Sequence, residues 1–186
     1  MNLAHRVVCR SGPWRWVVRR RLVPWALDGL ELGDHALEIG PGPGLTTDLI
    51  RTKTARLTAV EIDPRLAALL RQRTAGTNVE VVRADATELP FPESSFSAVL
   101  SFTMLHHVPS AALQDRLLAE ARRVLGPGGV FAGTDSTDSL PLRLAHLGDT
   151  WVPVDPAAFS RRLGAAGFGG VVVERGLAEF RFRAFR

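Results

Sequence analysis

The hydrophobic pattern of the chain switches repeatedly between two periods from residue 34 onward. Short apolar runs, typical of buried strands, alternate with stretches in which apolar residues recur every three or four positions, as on one face of a helix. The runs predict strands at 36–39, 56–61, 79–82, 96–102 and 130–134. The intervening stretches predict helices at 45–51, 64–74 and from Ser110, a potential cap, to a Gly-Pro-Gly-Gly stop at 126–129. This alternation predicts a mostly parallel sheet with helices on both faces.

The last part of the chain departs from this alternation. Residues 135–155 show no clear period and are expected to form a long irregular loop, which in a compact domain is often functional. A short helix is predicted at 156–166, followed by strands at 171–174 and 178–183. Because the connection around Arg175 and Gly176 is short, these two strands are expected to form an antiparallel hairpin.

Length and composition narrow the class of protein. A chain of 186 residues with 46% hydrophobic and 23% charged residues suits one soluble globular domain with a real core. No apolar run reaches the roughly 18 residues of a membrane span, and the Arg-interrupted start is unlike a signal peptide. Cys9 is the only cysteine, which excludes an internal disulfide. Together these features predict a cytoplasmic protein.

The positive charge is concentrated near the start of the chain. Six arginines precede the first acidic residue, Asp28, and are interleaved with Trp14, Trp16 and Trp25, although the net charge is only +4. Such a segment can bind a membrane surface or nucleic acid, or can pack its Trp side chains over a cleft. We favour a basic helical segment at 1–29, with a short helix between Pro13 and Pro24, that covers the cleft of a domain at 30–186. Peripheral membrane contact is the second choice.

A glycine-rich loop follows the first predicted strand, at the edge of the sheet where ligands bind in open α/β folds. Gly40, Gly42 and Gly44 allow the backbone to turn sharply and approach a ligand closely. The spacing is G-x-G-x-G rather than the G-x-G-x-x-G of dinucleotide sites, and Pro41 and Pro43 lack the N–H groups that could bind a pyrophosphate. Glu38 adds a negative charge that favours a cationic ligand.

Two further acids follow the next two strands. Glu61, at the end of the second strand, can accept both hydroxyl protons of a ribose. Asp85 follows the third strand and can accept from an adenine amine, while the backbone N–H of Ala86 donates to a ring nitrogen. Each residue alone has a structural alternative, since Asp85 can cap a turn and Glu61 can face solvent. Acids at the ends of three successive strands favour a nucleoside-containing cofactor.

Together these motifs resemble the class I S-adenosylmethionine-dependent methyltransferases, and in particular the type 11-like small-molecule methyltransferases. The matching segments cover most of the chain in the order of the family: 36–44 (ALEIGPGPG), 60–63 (VEID), 84–86 (ADA), 89–91 (LPF), 94–99 (SSFSAV) and 124–129 (VLGPGG). The resemblance implies a Rossmann-like doubly wound sandwich with a seven-stranded, mostly parallel sheet whose last strand is antiparallel. It implies the cofactor S-adenosyl-L-methionine, with S-adenosyl-L-homocysteine as product.

The resemblance also assigns the cofactor-binding residues. Glu38, Gly40, Pro41, Gly42 and Gly44 would lie at the methionine end, Glu61 at the ribose, Ile62 against the adenine face, and Asp85 and Ala86 at the adenine edge. Ser101 and Phe102, at the end of the fourth strand, would line the methionine side.

The acceptor side is less defined. A sulfonium is already an activated methyl donor, so alignment of the acceptor provides most of the catalysis, and a base helps only a protonated acceptor. His106 is the candidate catalytic base, because a histidine at this place recurs in the subgroup that the chain resembles. His107, His146 and Trp151 are candidates for the substrate pocket. The sequence has no recognisable metal-ligand constellation, so no metal is predicted.

The predicted activity is methyl transfer by direct displacement to a small-molecule acceptor, with no nucleic-acid partner. Absence of an Asn-Pro-Pro-aromatic motif after the fourth strand argues against methylation of planar exocyclic amines. Two alternatives stay open: a non-catalytic S-adenosylmethionine-binding protein, and an NAD-dependent oxidoreductase. Neither the acceptor atom nor the oligomeric state follows from the sequence.

Overall fold

Seven strands form one sheet in the computed structural model, which describes residues 11–186. Their spatial order is β3-β2-β1-β4-β5-β7-β6. Strands β1 to β5 pair in parallel, while β7 runs antiparallel between β5 and β6. The strands are β1 (His35–Ile39), β2 (Arg56–Glu61), β3 (Val79–Arg83), β4 (Phe96–Phe102), β5 (Leu125–Ser136), β6 (Gly169–Arg175) and β7 (Glu179–Phe185). The predicted fold class is therefore confirmed, including the antiparallel last strand and the terminal hairpin.

Helices cover both faces of the sheet. They are α1 (Gly12–Val17), a π-helical segment (Val18–Leu22), α2 (Val23–Ala26), α3 (Thr47–Ile50), α4 (Pro64–Arg73), a 3-10 turn (Leu105–His107), α5 (Ala111–Val124), α6 (Leu140–Ala145) and α7 (Pro156–Ala165). The side chains of Asp63, Ser110 and Asp155 each accept a backbone N–H in the first turn of the helix that follows. The predicted Ser110 cap is therefore confirmed.

Three predicted boundaries are wrong. The first helical stretch does not stop at Pro24 but continues to Ala26, because the preceding turn widens and the Val23 N–H donates to the Val18 carbonyl five residues back. The glycine-rich segment at 126–129 does not separate helix from strand, since β5 begins at Leu125. The segment at 135–155 is not wholly irregular, because it contains α6.

Side chains on the two faces of the sheet belong to separate hydrophobic clusters. In β4, Val99 packs in the cluster beneath α5 and α7, whereas Ala98 and Leu100 pack in the cluster on the opposite face. This is the alternation that a strand buried on both faces requires. Leu22 and Val23 of the N-terminal helical stretch belong to the second cluster. Helices α1 and α2 thus cover part of one face, while the proposed division at residue 29 stays a prediction.

No helix within residues 11–186 is both long and apolar enough to cross a lipid bilayer.

A buried carboxylate fixes the loop that follows β1. Glu38 is only 1% exposed, and it accepts hydrogen bonds from the hydroxyl groups of Thr46 and Thr47 at the start of α3. The Gly40 N–H donates to the Val60 carbonyl at 2.9 Å, so the loop is also tied to β2. Burial raises the pKa of Glu38 to about 7, although the two hydroxyl groups act in the opposite direction.

The close approach of β4 and β5 can be tested at Gly133. A Cβ there would lie 1.7 Å from the Ser101 carbonyl oxygen, whereas a Cβ at Gly164, in α7, would have no neighbour within 4 Å. We expect Gly133→Ala to lower the free energy of unfolding by about 1–3 kcal/mol through overpacking. Gly164→Ala is the matched control, and should raise it by about 0.5–1 kcal/mol through helix propensity. Urea unfolding measures both, and equal effects would contradict the packing described.

The raised pKa of Glu38 makes a pH-dependent contribution to stability. Its value of about 7 in the folded protein lies above the ordinary 4.5, so the protonated form is favoured by folding. That contribution is complete below about pH 4.5 and is lost as the pH rises through 7. The shift corresponds to about 3 kcal/mol. Wild type loses this contribution as the pH rises from about 4.5 to 7, and Glu38→Gln does not. The unfolding free energy of Glu38→Gln should therefore rise relative to that of wild type over this range.

The measurement is urea unfolding of both proteins, without cofactor, across this pH range. Glu80→Gln, which removes an exposed carboxylate of β3, provides the control and should show little change with pH relative to wild type. If the unfolding free energies of Glu38→Gln and wild type differ by the same amount at every pH, the raised pKa of Glu38 is refuted.

Candidate active site

A cavity of about 550 Å³ opens at the carboxyl ends of the parallel strands. Its lining includes the segments that follow β1, β2, β3, β4 and β5, and α1 and α6 contribute side walls. Each of these segments begins where a buried strand ends, so the parallel sheet brings residues distant in sequence to one edge. The sequence-predicted site residues that line this cavity are Gly40, Pro41, Gly42, Glu61, Ile62, Asp85, Ala86, Phe102, His106, His107 and His146.

The first side of the cavity consists of the glycine loop and the end of β2. The Gly42 N–H donates to Glu61 Oε2 at 3.0 Å, and the Asp63 N–H donates to Oε1 at 2.9 Å. Each carboxylate oxygen can accept a second hydrogen bond, so Glu61 keeps acceptor capacity toward the cavity. The loop thus positions the residue predicted to bind a ribose. Ile62 is 62% exposed beside it and provides an apolar surface.

Asp85 and Ala86 form the next part of the wall. The Asp85 Oδ1 atom accepts from both the backbone N–H and the hydroxyl group of Thr87, each at 2.8 Å. The side chain therefore does stabilise a turn, which was the structural alternative for this residue. It also lines the cavity, so the two roles are compatible.

Four sequence-predicted residues are not among those that line the cavity. Glu38 lies beneath the glycine loop and holds it through Thr46 and Thr47. Gly44 has a φ of +79° and its carbonyl accepts from Arg73 at 2.8 Å. Ser101 is fully buried. Trp151 packs against the rings of His106 and His146, with centroid distances of 4.8 and 4.3 Å. Of the four, Glu38 and Trp151 contact residues that hold or line the cavity.

Only one of the three Trp side chains near the start of the chain faces the cavity. Trp14 lines it together with Val18, whereas Trp16 is 63% exposed. Trp25 packs against the Arg181 guanidinium at 5.3 Å, and its carbonyl accepts from that same group. Of the three Trp side chains only Trp14 lines the cavity, and the covering role of the segment at 1–29 stays a prediction. The remaining features of this segment, Arg6, Cys9 and Arg10, lie outside the described residues.

The second side of the cavity contains a histidine held by an acid. His106 Nδ1 lies 2.5 Å from Asp135 Oδ1, and both side chains are buried. Asp135 also accepts from the backbone N–H groups of Leu105 and Ser136, at 2.7 and 2.6 Å. Three nitrogen atoms therefore fix the position of the carboxylate. Sequence reasoning named His106 but missed Asp135, although an acid at the end of the predicted fifth strand was a usable signal.

His107 and His146 complete a cluster of three imidazoles around His106. One ring nitrogen from each lies within 4.8 Å of those of the other two. His146 Nδ1 lies 2.7 Å from the Leu142 carbonyl oxygen in α6. Burial lowers the pKa of His146, since it disfavours the imidazolium form. No metal was predicted from the sequence, yet these three residues offer a set of nitrogen ligands.

The charges around the cavity favour a cationic ligand over a phosphate. Its acidic lining residues are Glu61, Asp63, Asp85 and Asp149, and among the described residues neither Arg nor Lys lines it. Pro41 and Pro43 contribute no N–H donors. A pyrophosphate would therefore meet carboxylates without compensating cations, whereas a sulfonium ligand would meet favourable charge.

Comparisons with known proteins agree with this geometry. A family model described as a methyltransferase domain matches residues 37–133. The demethylmenaquinone methyltransferase of Tropheryma whipplei (strain Twist) is 33% identical over 101 residues, which are 54% of this chain and 41% of that protein. A Thermococcus onnurineus protein named "Probable ribosomal RNA small subunit methyltransferase A" is 41% identical over 68 residues, 37% of this chain and 24% of its own length. Across the curated relatives, the chain spans between about a quarter and about half of their length.

The solved complex of DhpI with S-adenosylhomocysteine (SAH) has the same fold. It superposes with a TM-score of 0.77 at 21% identity, and the match covers 98% of this chain and 90% of that one. The family match extends over the glycine loop, Glu61, Asp85 and His106, which are the residues that meet at the cavity. The chain therefore belongs to the class I, type 11-like methyltransferases, whose cofactor is S-adenosylmethionine.

Proposed function

We propose that this chain transfers the methyl group of S-adenosylmethionine to a small-molecule acceptor. The observation that carries the proposal is a single cavity that joins the cofactor-binding loops to the histidine cluster. A methyltransferase needs both ligands in one enclosed space, because in-line alignment of the acceptor with the S–CH₃ bond provides most of the rate. The apolar walls around the histidines suit a molecule that is largely nonpolar apart from its reacting group.

In this proposal the cofactor lies along the carboxyl ends of β1, β2 and β3. Gly40 and Gly42 approach its methionine part, and the free acceptor capacity of Glu61 binds the ribose hydroxyl groups. Asp85 accepts from the adenine amine and the Ala86 N–H donates to the ring, with Ile62 against the adenine face. Glu38 acts indirectly, by holding the loop from below.

The acceptor lies on the β4 and β5 side, near His106. In the displacement, a lone pair of the acceptor forms the new bond to the methyl carbon, while the S–CH₃ bonding pair returns to sulfur and leaves a neutral thioether. An O–H or N–H acceptor also loses a proton. The His106 imidazole is the proposed base for that proton, and Asp135 is a positioning residue that fixes its tautomer and orientation.

Names among the relatives support a small acceptor in part. The demethylmenaquinone methyltransferase acts on a small molecule by its name, whereas the ribosomal RNA methyltransferase does not. Within the described residues the cavity lining carries no Arg or Lys, which a groove that binds an RNA backbone would be expected to supply. This observation favours the small molecule. It equally disfavours the pyrophosphate of NAD.

Cofactor binding is tested by isothermal titration with S-adenosylmethionine and S-adenosylhomocysteine. We expect Glu61→Ala and Asp85→Ala each to weaken binding by about 10- to 100-fold, because each removes hydrogen bonds to a charged group. Glu88→Ala is the matched control for Asp85, since it removes an exposed carboxylate three residues away, and should bind normally. Normal binding by both Glu61→Ala and Asp85→Ala would refute the cofactor placement. Binding without methyl transfer to any acceptor would favour the non-catalytic alternative.

Catalysis is tested with labelled S-adenosylmethionine and three acceptor classes: a naphthoquinol, a long-chain carboxylic acid and ribosomal RNA. On an acceptor that must lose a proton, such as the naphthoquinol, we expect His106→Asn to lower kcat by about 100- to 10,000-fold while cofactor affinity is retained, whereas a carboxylic acid is already ionised and should show little loss. Asp135→Asn should lower kcat less, because the imidazole itself remains. His35→Asn is the control, since His35 contacts Thr58 and Phe96 away from the cavity. Transfer to RNA alone would contradict the small-molecule proposal, and an unaffected kcat in His106→Asn on an acceptor that must lose a proton would exclude a base at this position.

A further inference from the structure

The three imidazoles beside the proposed acceptor position form a compact set. His106 and His107 come from the 3-10 turn after β4, and His146 comes from the end of α6, 39 residues further along the chain than His107. Their ring centroids are 4.3, 5.2 and 5.3 Å apart. One nitrogen from each ring lies within 4.8 Å of the other two, and all three residues line the cavity.

In two of these rings the Nδ1 atom is hydrogen-bonded to another group of the protein, as is usual for metal-bound histidines. His106 Nδ1 bonds to the Asp135 carboxylate, and His146 Nδ1 to the Leu142 carbonyl. A carbonyl oxygen can only accept, so His146 donates its Nδ1–H and carries its lone pair on Nε2, and a neutral His106 that donates Nδ1–H to the Asp135 carboxylate does the same. Metal-ligating histidines almost always donate their second ring nitrogen to a carboxylate or a backbone carbonyl.

The surrounding charge suits a cation. Asp135 and Asp149 both act electrostatically on His146, and Asp149 lines the cavity itself. No Arg or Lys is found among the described lining residues. A divalent ion between the rings would therefore be balanced by nearby carboxylates rather than repelled.

We propose that His106, His107 and His146 form a binding site for a divalent transition-metal ion, with Zn²⁺ the best match. Imidazole nitrogens suit zinc, and three of them with an open fourth position constitute a catalytic rather than a structural zinc site. Tetrahedral zinc at about 2.0–2.1 Å from each nitrogen requires the nitrogens to be about 3.4 Å apart. The cluster must therefore contract when it binds the ion, and His107 is the only one of the three side chains that is not fully buried.

The open position would face the cavity and bind the acceptor atom. This step rests on the proposed methyl transfer, whereas metal binding does not. A hydroxyl group bound to zinc is more acidic, so it would release its proton to water and attack the methyl carbon as an oxyanion. His106 would then act as a metal ligand, and the ion would replace it as the group that activates the acceptor.

The test uses the untagged chain of 186 residues, stripped with a chelator and titrated with Zn²⁺ against a chromogenic competitor. We expect one ion per chain, and Co²⁺ in its place should give the visible absorption of a tetrahedral site. Asp135→Asn should weaken zinc binding by about 10- to 100-fold, the usual effect of losing such a supporting bond. His107→Ala and His146→Ala should weaken it further, and His35→Ala should bind like wild type. Unchanged S-adenosylhomocysteine binding confirms that each variant is folded.

Absence of saturable zinc binding would overturn the proposal, as would equal affinity in wild type and His107→Ala. The two proposals fail separately. Zinc binding without methyl transfer to any acceptor counts against the proposed function and leaves the metal site intact. Methyl transfer by the stripped protein, together with an absence of zinc binding, overturns the metal site alone.

Discussion

The buried carboxylate of Glu38 is the interaction on which the geometry of the cofactor side depends. Its two oxygens are each held by a threonine hydroxyl from the start of α3, so the strand, the loop and the helix are joined at one point. The loop between them can then place the Gly42 N–H against Glu61 at the end of β2. A charge buried to this degree is costly unless it is well bonded. The two hydroxyl groups offset part of this desolvation cost, and the bonded carboxylate fixes the glycine loop.

A second buried acid organises the opposite side of the cavity. Asp135 lies at the end of β5, and its carboxylate joins that strand to the turn after β4 through His106 and the Leu105 N–H. The two acids thus flank β4 from the neighbouring strands β1 and β5. Neither acid lines the cavity, so a list of the lining residues would not include them. Both act by positioning other groups, the glycine loop in one case and an imidazole in the other.

Much of the fold could be predicted from the sequence because its determinants are local. The strands at 56–61 and 96–102 have the predicted bounds, since predominantly apolar runs between polar turns define them. The continuation through Pro24 could not be predicted, because it depends on a widened turn rather than on propensity. The glycine loop and its acids could be predicted because each lies at or just after the end of a strand. The pairing of His106 with Asp135, and the approach of His146, depend on tertiary contacts between distant segments.

The cavity wall has two kinds of parts: loops at the ends of the strands, and short helices at the margin of the domain. The cofactor side is formed by strand ends and their hydrogen-bonded loops, whereas α1 and α6 supply Trp14, Leu142 and Ala145 from short helices at the margin. Substitutions in those helices can reshape this part of the cavity wall while the sheet and the loops at its strand ends remain unchanged. This separation would allow the shape of the pocket to change during evolution at little cost to folding.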